Sequence, residues 1–164
     1  MAETTPRPDD AGNTVDISGS RILVVDDNEQ NLELLVEYLD SLDCTIETAI
    51  DGIDALEKVQ QTPPDLILLD IMMPRMSGFE VCRKLKSDPE TRDIPIIMVT
   101  ALNELGDIER GVESGTDDFI SKPVNRLEML TRVKSLLRVR GLQSELDRTL
   151  AYLNEMDPQE ETQQ

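Results

Sequence analysis

Five short apolar runs, each followed by an amphipathic stretch, constrain this chain more than any other feature. RILVVD (21–26), CTIETA (44–49), DLILLD (65–70), PIIMVT (95–100) and DDFIS (117–121) read as strands, since near-continuous runs such as ILVV and LILL need apolar cover on both faces. The segments between them fit crossover helices. In the first, Leu32, Leu35, Val36 and Leu39 recur at i, i+3, i+4 and i+7 and form one core-facing stripe. Asp51 with Asp54, and Asn125 with Glu128, have the spacing of N-caps, and Pro63-Pro64 stops the second helix. Five such units specify an α/β fold built on a doubly wound, five-stranded parallel sheet.

The flanks read differently. Residues 1–20 are rich in Pro, Gly, Thr and Asp and hold little that could be buried, so they are expected to form a disordered acidic tail, and residues 157–164 likewise. The domain then occupies 21–141, followed by a helical extension over 142–156. Only Gly141 interrupts the helical stretch from Arg126 to Met156, at about 1 kcal/mol against Ala. Val139, Leu142, Leu146, Thr149, Leu153 and Met156 fit alternating a and d positions of a heptad. A seam this short is compatible with a coiled coil or with a solvated or core-folded amphipathic helix.

Composition removes whole classes of chemistry. The chain contains no His, which excludes a Ser-His-Asp triad, a Cys-His pair and His-ligated zinc. Its two Cys, Cys44 and Cys82, lie far apart in apolar stretches and read as small buried hydrophobes. A net charge of -18 with four aromatic residues argues against direct nucleic-acid binding. No apolar run reaches membrane-spanning length and the N-terminus lacks a signal-peptide pattern, so no membrane association and a cytoplasmic location are expected.

The polar residues that remain gather at strand ends: Asp26 and Asp27 after the first, Asp70 on the third, Thr100 on the fourth, Lys122 just past the fifth. Ligands of doubly wound sheets bind outside the carboxyl ends of the strands, so the topology brings these five residues into one cleft. Each alone is ordinary, a turn, a helix cap or a β-branched strand residue. Together, three carboxylates repel one another unless a cation shares the site, and oxygen-only ligands in an open site suit Mg²⁺. With the Lys122 ammonium and the Thr100 hydroxyl they would bind a phosphoryl group, and Asp70 is placed as a carboxylate nucleophile that forms an aspartyl phosphate.

The strings LVVDDN, LILLDIMMPRMSGFEVC, PIIMVTA and GTDDFISKP, in register over about residues 20–140, resemble the receiver domain of bacterial two-component response regulators. The resemblance implies a flavodoxin-like sheet of order 2-1-3-4-5 with an extended C-terminal helix. It implies Asp70 as phosphoacceptor, Asp27 as a Mg²⁺ ligand, Asp26 as a ligand through water, and the Met72 backbone carbonyl completing the metal shell. Thr100 and Lys122 resemble the pair that contacts the phosphoryl oxygens, Phe119 the switch aromatic, and Pro123 a position whose peptide bond to Lys is typically cis. Pro74 and Gly78 match the loop leading from Asp70 into the third helix. The implied function is a phosphorylation-dependent switch, a regulatory domain rather than an enzyme.

The resemblance also implies partners: a histidine kinase or histidine phosphotransfer protein, and a homodimer through the face of the fourth helix, fifth strand and fifth helix or through the C-terminal helix. With the first helix's stripe turned inward, Leu34 and Tyr38 fall on a neighbouring face beside Asn31, an apolar pair suited to docking a histidine-bearing helix. Met72, Met73 and Met76 read as loop packing. Met72 and Leu102, both apolar, stand where receivers place side chains near the path of a hydrolytic water, which implies a long-lived phosphoryl group. A phosphohydrolase of the haloacid dehalogenase type would need an Asp two residues after the nucleophile, where this chain has Met72. A receiver-like module that acts without phosphorylation, and a receiver fragment of a larger protein with an enzymatic output domain, remain alternatives.

Overall fold

The computed structural model describes residues 16–101 and 105–156. The elements follow in strict alternation: β1 (Arg21–Val25), α1 (Glu29–Leu39), β2 (Thr45–Ala49), α2 (Gly52–Gln61), β3 (Leu66–Asp70), α3 (Gly78–Ser87), β4 (Ile96–Thr100), α4 (Leu105–Ser114), β5 (Asp118–Ser121) and α5 (Arg126–Met156). The strands form one sheet in the order β2-β1-β3-β4-β5. All four pairings are parallel, with Val25 opposite Leu69, Asp70 opposite Val99, and Thr100 opposite Ser121. The expected doubly wound fold is the observed one.

Alternation along the strands builds two cores. Ile22, Val24, Leu66, Leu68, Ile97 and Val99 turn to the side of α1 and α5, where Leu35, Leu39, Met129 and Val133 cover them. Leu23, Val25, Ile67, Leu69, Ile96 and Met98 turn to the other side, against Ala55 and Val59 of α2 and Val81, Cys82 and Leu85 of α3. Burying both faces rewards each residue of β3 and β4, all of which are buried.

Several local expectations need correction. Each strand is one residue shorter than its apolar run. Asp26 lies beyond the end of β1, and Asp65, Pro95 and Asp117 stand just before their strands, though their backbones still bond to the neighbouring strand. The Asp65 carboxylate accepts the Arg21 amide at 2.8 Å and the Asp117 carboxylate accepts the Ile96 amide at 2.7 Å. In α1 the buried residues are Leu32, Leu35 and Leu39, whereas Val36 is only half-buried. Tyr38 is the fourth member that packs against the α1/α5 core. Its larger ring reaches the core from the flank of the helix, a reach Val36 lacks. Cys44 is also only partly buried; both thiols are free. Ile17 packs against the α1/α5 core and the Gly19 amide donates to the Asp43 carbonyl at 2.7 Å, so residues 16–20 belong to the domain's structure. The tail expectations for 1–15 and 157–164 lie outside the described residues, as does the one for Leu102.

The caps at Asp51 and Asn125 are present, with carboxylate and amide oxygens accepting the Asp54 and Glu128 amides at 2.7 and 3.0 Å. α2 ends at Gln61, just before the two prolines. α5 runs unbroken through Gly141.

One glycine fixes the loop after β3. A Cβ on Gly78 would lie 2.3 Å from the Asp70 carbonyl oxygen and 2.8 Å from the Ile71 Cα, both backbone atoms that cannot swing aside. The Gly78 amide donates to the Ile71 carbonyl at 2.9 Å, drawing the start of α3 against the end of β3. Gly78→Ala is therefore expected to lower unfolding stability by about 2–3 kcal/mol, the cost of overpacking against an unyielding wall. Urea denaturation reads this directly, and a loss of under about 0.5 kcal/mol would show that the loop relaxes freely.

Candidate functional site

The site is a cluster of charge at the carboxyl edge of the sheet. Asp26, one residue past β1, and Asp70, the last residue of β3, are 1% and 5% exposed, while Asp27 beside them is exposed. One carboxylate oxygen from each of the three lies within 4.8 Å of the others. Asp26 is held from two sides: its Oδ1 accepts the Asn28 amide at 2.9 Å and its Oδ2 accepts from Lys122 Nζ at 3.3 Å. Lys122 Nζ also donates to Asp70 Oδ1 at 3.2 Å. A single ammonium thus serves two buried carboxylates that are 44 residues apart in sequence and separated only by the β1–β3 spacing in the fold.

One positive charge does not balance that cluster. Burial, and then the Asp26 carboxylate, hold the Asp70 carboxyl above the usual range in spite of Lys122. Burial pulls the Lys122 ammonium down, but attraction to Asp70 and Asp26 outweighs it and leaves its pKa raised. The two shifts are consistent: the carboxylates secure the lysine, yet the lysine does not fully secure Asp70. The donor set of clustered carboxylate oxygens with residual negative charge fits a hard divalent cation.

Two backbone features place the lysine. Its amide donates to the Thr100 carbonyl at 2.8 Å, so the end of β4 and the residue after β5 are tied together, and the Lys122–Pro123 peptide bond is cis. Thr100 is buried at the same edge, 6% exposed. Phe119 sits two strand pairings lower, opposite Met98, half-buried against the α2/α3 core. Its ring lies over Gly111 of α4, where an added Cβ would come within 2.3 Å of the ring carbon Cζ. The missing side chain at Gly111 is what lets the ring lie there.

Met72 is exposed, while Met73 and Met76 pack against the core as expected for loop packing. A cavity of about 480 Å³ opens beside Asp27 between this loop and α4, lined by Met72, Pro74, Phe79 and Arg110 among others. The Arg110 guanidinium stacks 4.5 Å above the Phe79 ring at its floor. Asn31, Leu34 and Tyr38 do come together, lining a groove of about 200 Å³ with Lys122, Pro123 and Val124. Leu34 is 41% exposed there, whereas Tyr38 is partly covered by the core rather than free.

Some of this escaped the sequence. Asn28, whose side chain caps α1 by accepting the Gln30 and Asn31 amides, had its residue type as a signal. Arg75 in the loop after β3 has φ of 69°, the left-handed region that favours Gly or Asn, and nothing in its side chain marks it. Gly111 and Arg110 acquire meaning only through the packing of α4 on β5 and α3.

A doubly wound sheet of this order, with a carboxylate cluster and a lysine at its carboxyl edge, defines the class of single-site α/β domains that bind at the topological switch. Residues 22–134 match the family model of the response regulator receiver domain, and the chain belongs to that family. It is 49% identical over 127 residues to the response regulator PleD of Caulobacter vibrioides, covering 77% of this chain and 28% of that protein. It is 42% identical over 118 residues to the DNA-binding dual master transcriptional regulator RpaA of Synechocystis, covering 72% of this chain and 49% of that one. The chain therefore spans between about a quarter and half of these relatives' length. Among solved structures, a CheY-like receiver domain protein from Methanospirillum hungatei aligns with a TM-score of 0.72 at 29% identity, over 77% of this chain and 99% of that one. The signal receiver domain of a histidine kinase from Syntrophus aciditrophicus aligns at 0.69 and 38% identity, over 73% and 90%. Among the described residues no helix is long and apolar enough to cross a membrane.

The raised Asp70 pKa has a stability consequence with a definite sign. The folded state binds this proton more tightly than the unfolded state, so the ionised carboxylate opposes folding above its folded pKa, and the penalty fades as pH falls through that value toward the ordinary Asp range. Asp70→Asn should therefore raise the melting temperature at pH 7–8 in divalent-free buffer. Its advantage should shrink steadily on acidification toward about pH 4. A variant less stable than the parent at pH 8 would mean that the Lys122 contact outweighs burial.

Proposed function

We propose that this chain is a phosphorylation-dependent signalling switch in which Asp70 is the phosphoacceptor. Membership of the receiver family supports the switch, and the observation that carries the residue assignment is the Lys122 ammonium bridging Asp70 and Asp26 at the carboxyl edge of the sheet. Asp26, Asp27 and Asp70, with the Met72 backbone carbonyl, would hold Mg²⁺, which supplies a divalent charge against which the carboxylates and an incoming phosphoryl group no longer repel. The Asp70 carboxylate oxygen attacks phosphorus of a phosphohistidine on a histidine kinase or phosphotransfer protein. The new P–O bond forms as the P–N bond breaks, and the bonding pair stays with the imidazole nitrogen. Lys122 neutralises charge on the phosphoryl oxygens, and Thr100 donates its hydroxyl to one of them.

That last hydrogen bond exists only in the phosphorylated state, so it is a differential contact able to bias a two-state element. Phe119 is the element proposed to respond, because its ring rests on α4 at Gly111 and its strand neighbour is β4. Movement of the ring would alter the face made by α4, β5 and α5, where Ile108, Val112 and Leu127 are exposed and available to a partner. The alternative, a module that signals without phosphorylation, gains no support from a site that keeps both acids and the lysine.

Incubation with Mg²⁺ and a small acyl phosphate should add one phosphoryl group by intact mass, and Asp70→Asn should abolish it. An adduct that persists on another carboxylate in the variant would overturn the assignment. Docking separates from chemistry through the groove beside Lys122: Leu34→Ala should slow transfer from a phosphohistidine donor severalfold while leaving acyl-phosphate labelling unchanged. Equal loss in both assays would show that Leu34 supports the fold rather than the donor.

A further inference from the structure

The Arg110 guanidinium is held in place without being neutralised. It stacks 4.5 Å above the ring of Phe79, which is 3% exposed and fixed in the α2/α3 core. Stacking occupies the face of a guanidinium and leaves its N–H donors, which lie in the plane, for a bidentate acceptor. Among the described residues Arg110 forms no ion pair, although Asp107 of the same helix lines the same cavity. Lys58, Lys86, Lys122, Arg132 and Arg140 all meet carboxylates. In a chain of net charge -18, a fixed guanidinium on a cavity with no acid of its own is set apart.

The cavity joins Arg110 to the carboxylate cluster. Asp27 lines it too, and the Asp27 carboxylate has an oxygen within 4.8 Å of one on Asp70. Met72, Pro74 and Phe79 give it apolar walls. A volume of about 480 Å³ is about 10 Å across if taken as round. A phosphoryl group arriving at Asp70 therefore has room beside it for a substituent of several carbon atoms. A two-carbon acyl group falls short of that span, whereas a four-carbon diacid fills it once a carboxylate–guanidinium contact of about 2.8 Å is added.

We infer that Arg110 and this cavity form a specificity subsite for small phosphodonors, selecting acyl phosphates of dicarboxylic acids. The inference rests on Asp70 as the phosphoacceptor. The donor's distal carboxylate pairs with Arg110, its methylenes lie against Met72, Pro74 and Phe79, and its phosphoryl group meets Asp70. The Asp70 oxygen attacks phosphorus, and the new P–O bond forms as the bond from phosphorus to the acyl oxygen breaks. The bonding pair leaves with that oxygen, which becomes the second carboxylate of a free diacid. Arg110 touches the donor but not the reacting atoms. The overall field opposes this choice, because a net charge of -18 disfavours each further negative charge on a donor. A preference for the diacid must therefore come from a local cation.

Rates of Asp70 labelling, read by intact mass with Mg²⁺ present, test it with four donors: succinyl phosphate, its methyl ester, acetyl phosphate, and phosphoramidate, which has no acyl group. At equal subsaturating concentration succinyl phosphate is expected to label the parent about fivefold faster than acetyl phosphate, the scale of one partly exposed ion pair. The methyl ester, equal in reach but without the charge, should do no better than acetyl phosphate. Arg110→Gln, at an exposed position on a helix where Gln is well tolerated, should abolish the preference and leave phosphoramidate labelling within about twofold of the parent. Arg110→Lys should restore part of the preference. Succinyl phosphate no faster than acetyl phosphate, an ester as fast as the free acid, a preference that survives Arg110→Gln, or an equal loss of phosphoramidate labelling in that variant would each overturn the inference. A parent that no donor labels, phosphoramidate included, would overturn the assignment of Asp70 itself.

Discussion

A single ammonium shared by two buried carboxylates is the constraint on which the functional edge of this molecule depends. Lys122 reaches Asp70 and Asp26 from a third strand end, and its backbone is tied to Thr100. Four segments of the chain are thereby fixed relative to one another by one residue. The arrangement is deliberately short of charge balance, in the sense that Asp70 stays harder to ionise than an ordinary carboxylate. Such residual negative charge is costly to a fold and useful to a site, because it is left for a cation to satisfy.

The rest of the fold holds that cluster in place. Carboxylates at 1% and 5% exposure require an unyielding frame, and the frame is a parallel sheet buried on both faces, with Gly78 letting α3 close against the end of β3. Above the frame the structure is softer by construction. The ring of Phe119 lies over a glycine and is only half-buried against the α2/α3 core, and the loop after β3 carries a left-handed Arg75 and an exposed Met72. Rigid strands beneath adaptable loops are what a site needs if its occupant is to change a distant surface.

α5 belongs to both regimes. Its first half is part of the core through Met129, Val133 and Leu137, and its second half leaves the domain with its apolar residues turned away from it. The helix thus carries apolar residues in two phases, the first closing the sheet and the second facing outward. A helix without a break at Gly141 carries the orientation of the domain directly into the projecting segment.

The sequence by itself determined the sheet, its parallel sense, the two caps at Asp51 and Asn125, and the convergence of Asp26, Asp27, Asp70, Thr100 and Lys122. These follow from local patterns: strand runs that tolerate no solvent face, and polar residues whose positions at strand ends are set by topology. It did not determine that Tyr38 rather than Val36 joins the core from α1, since helical periodicity gives a direction but not how far a given side chain reaches. Nor did it mark Arg75 or the seat of Phe119 on Gly111. Those were decided by tertiary structure alone. Each depends on which surfaces of two separate elements come within a few ångströms of each other, and that distance is a property of packing rather than of any single stretch of chain.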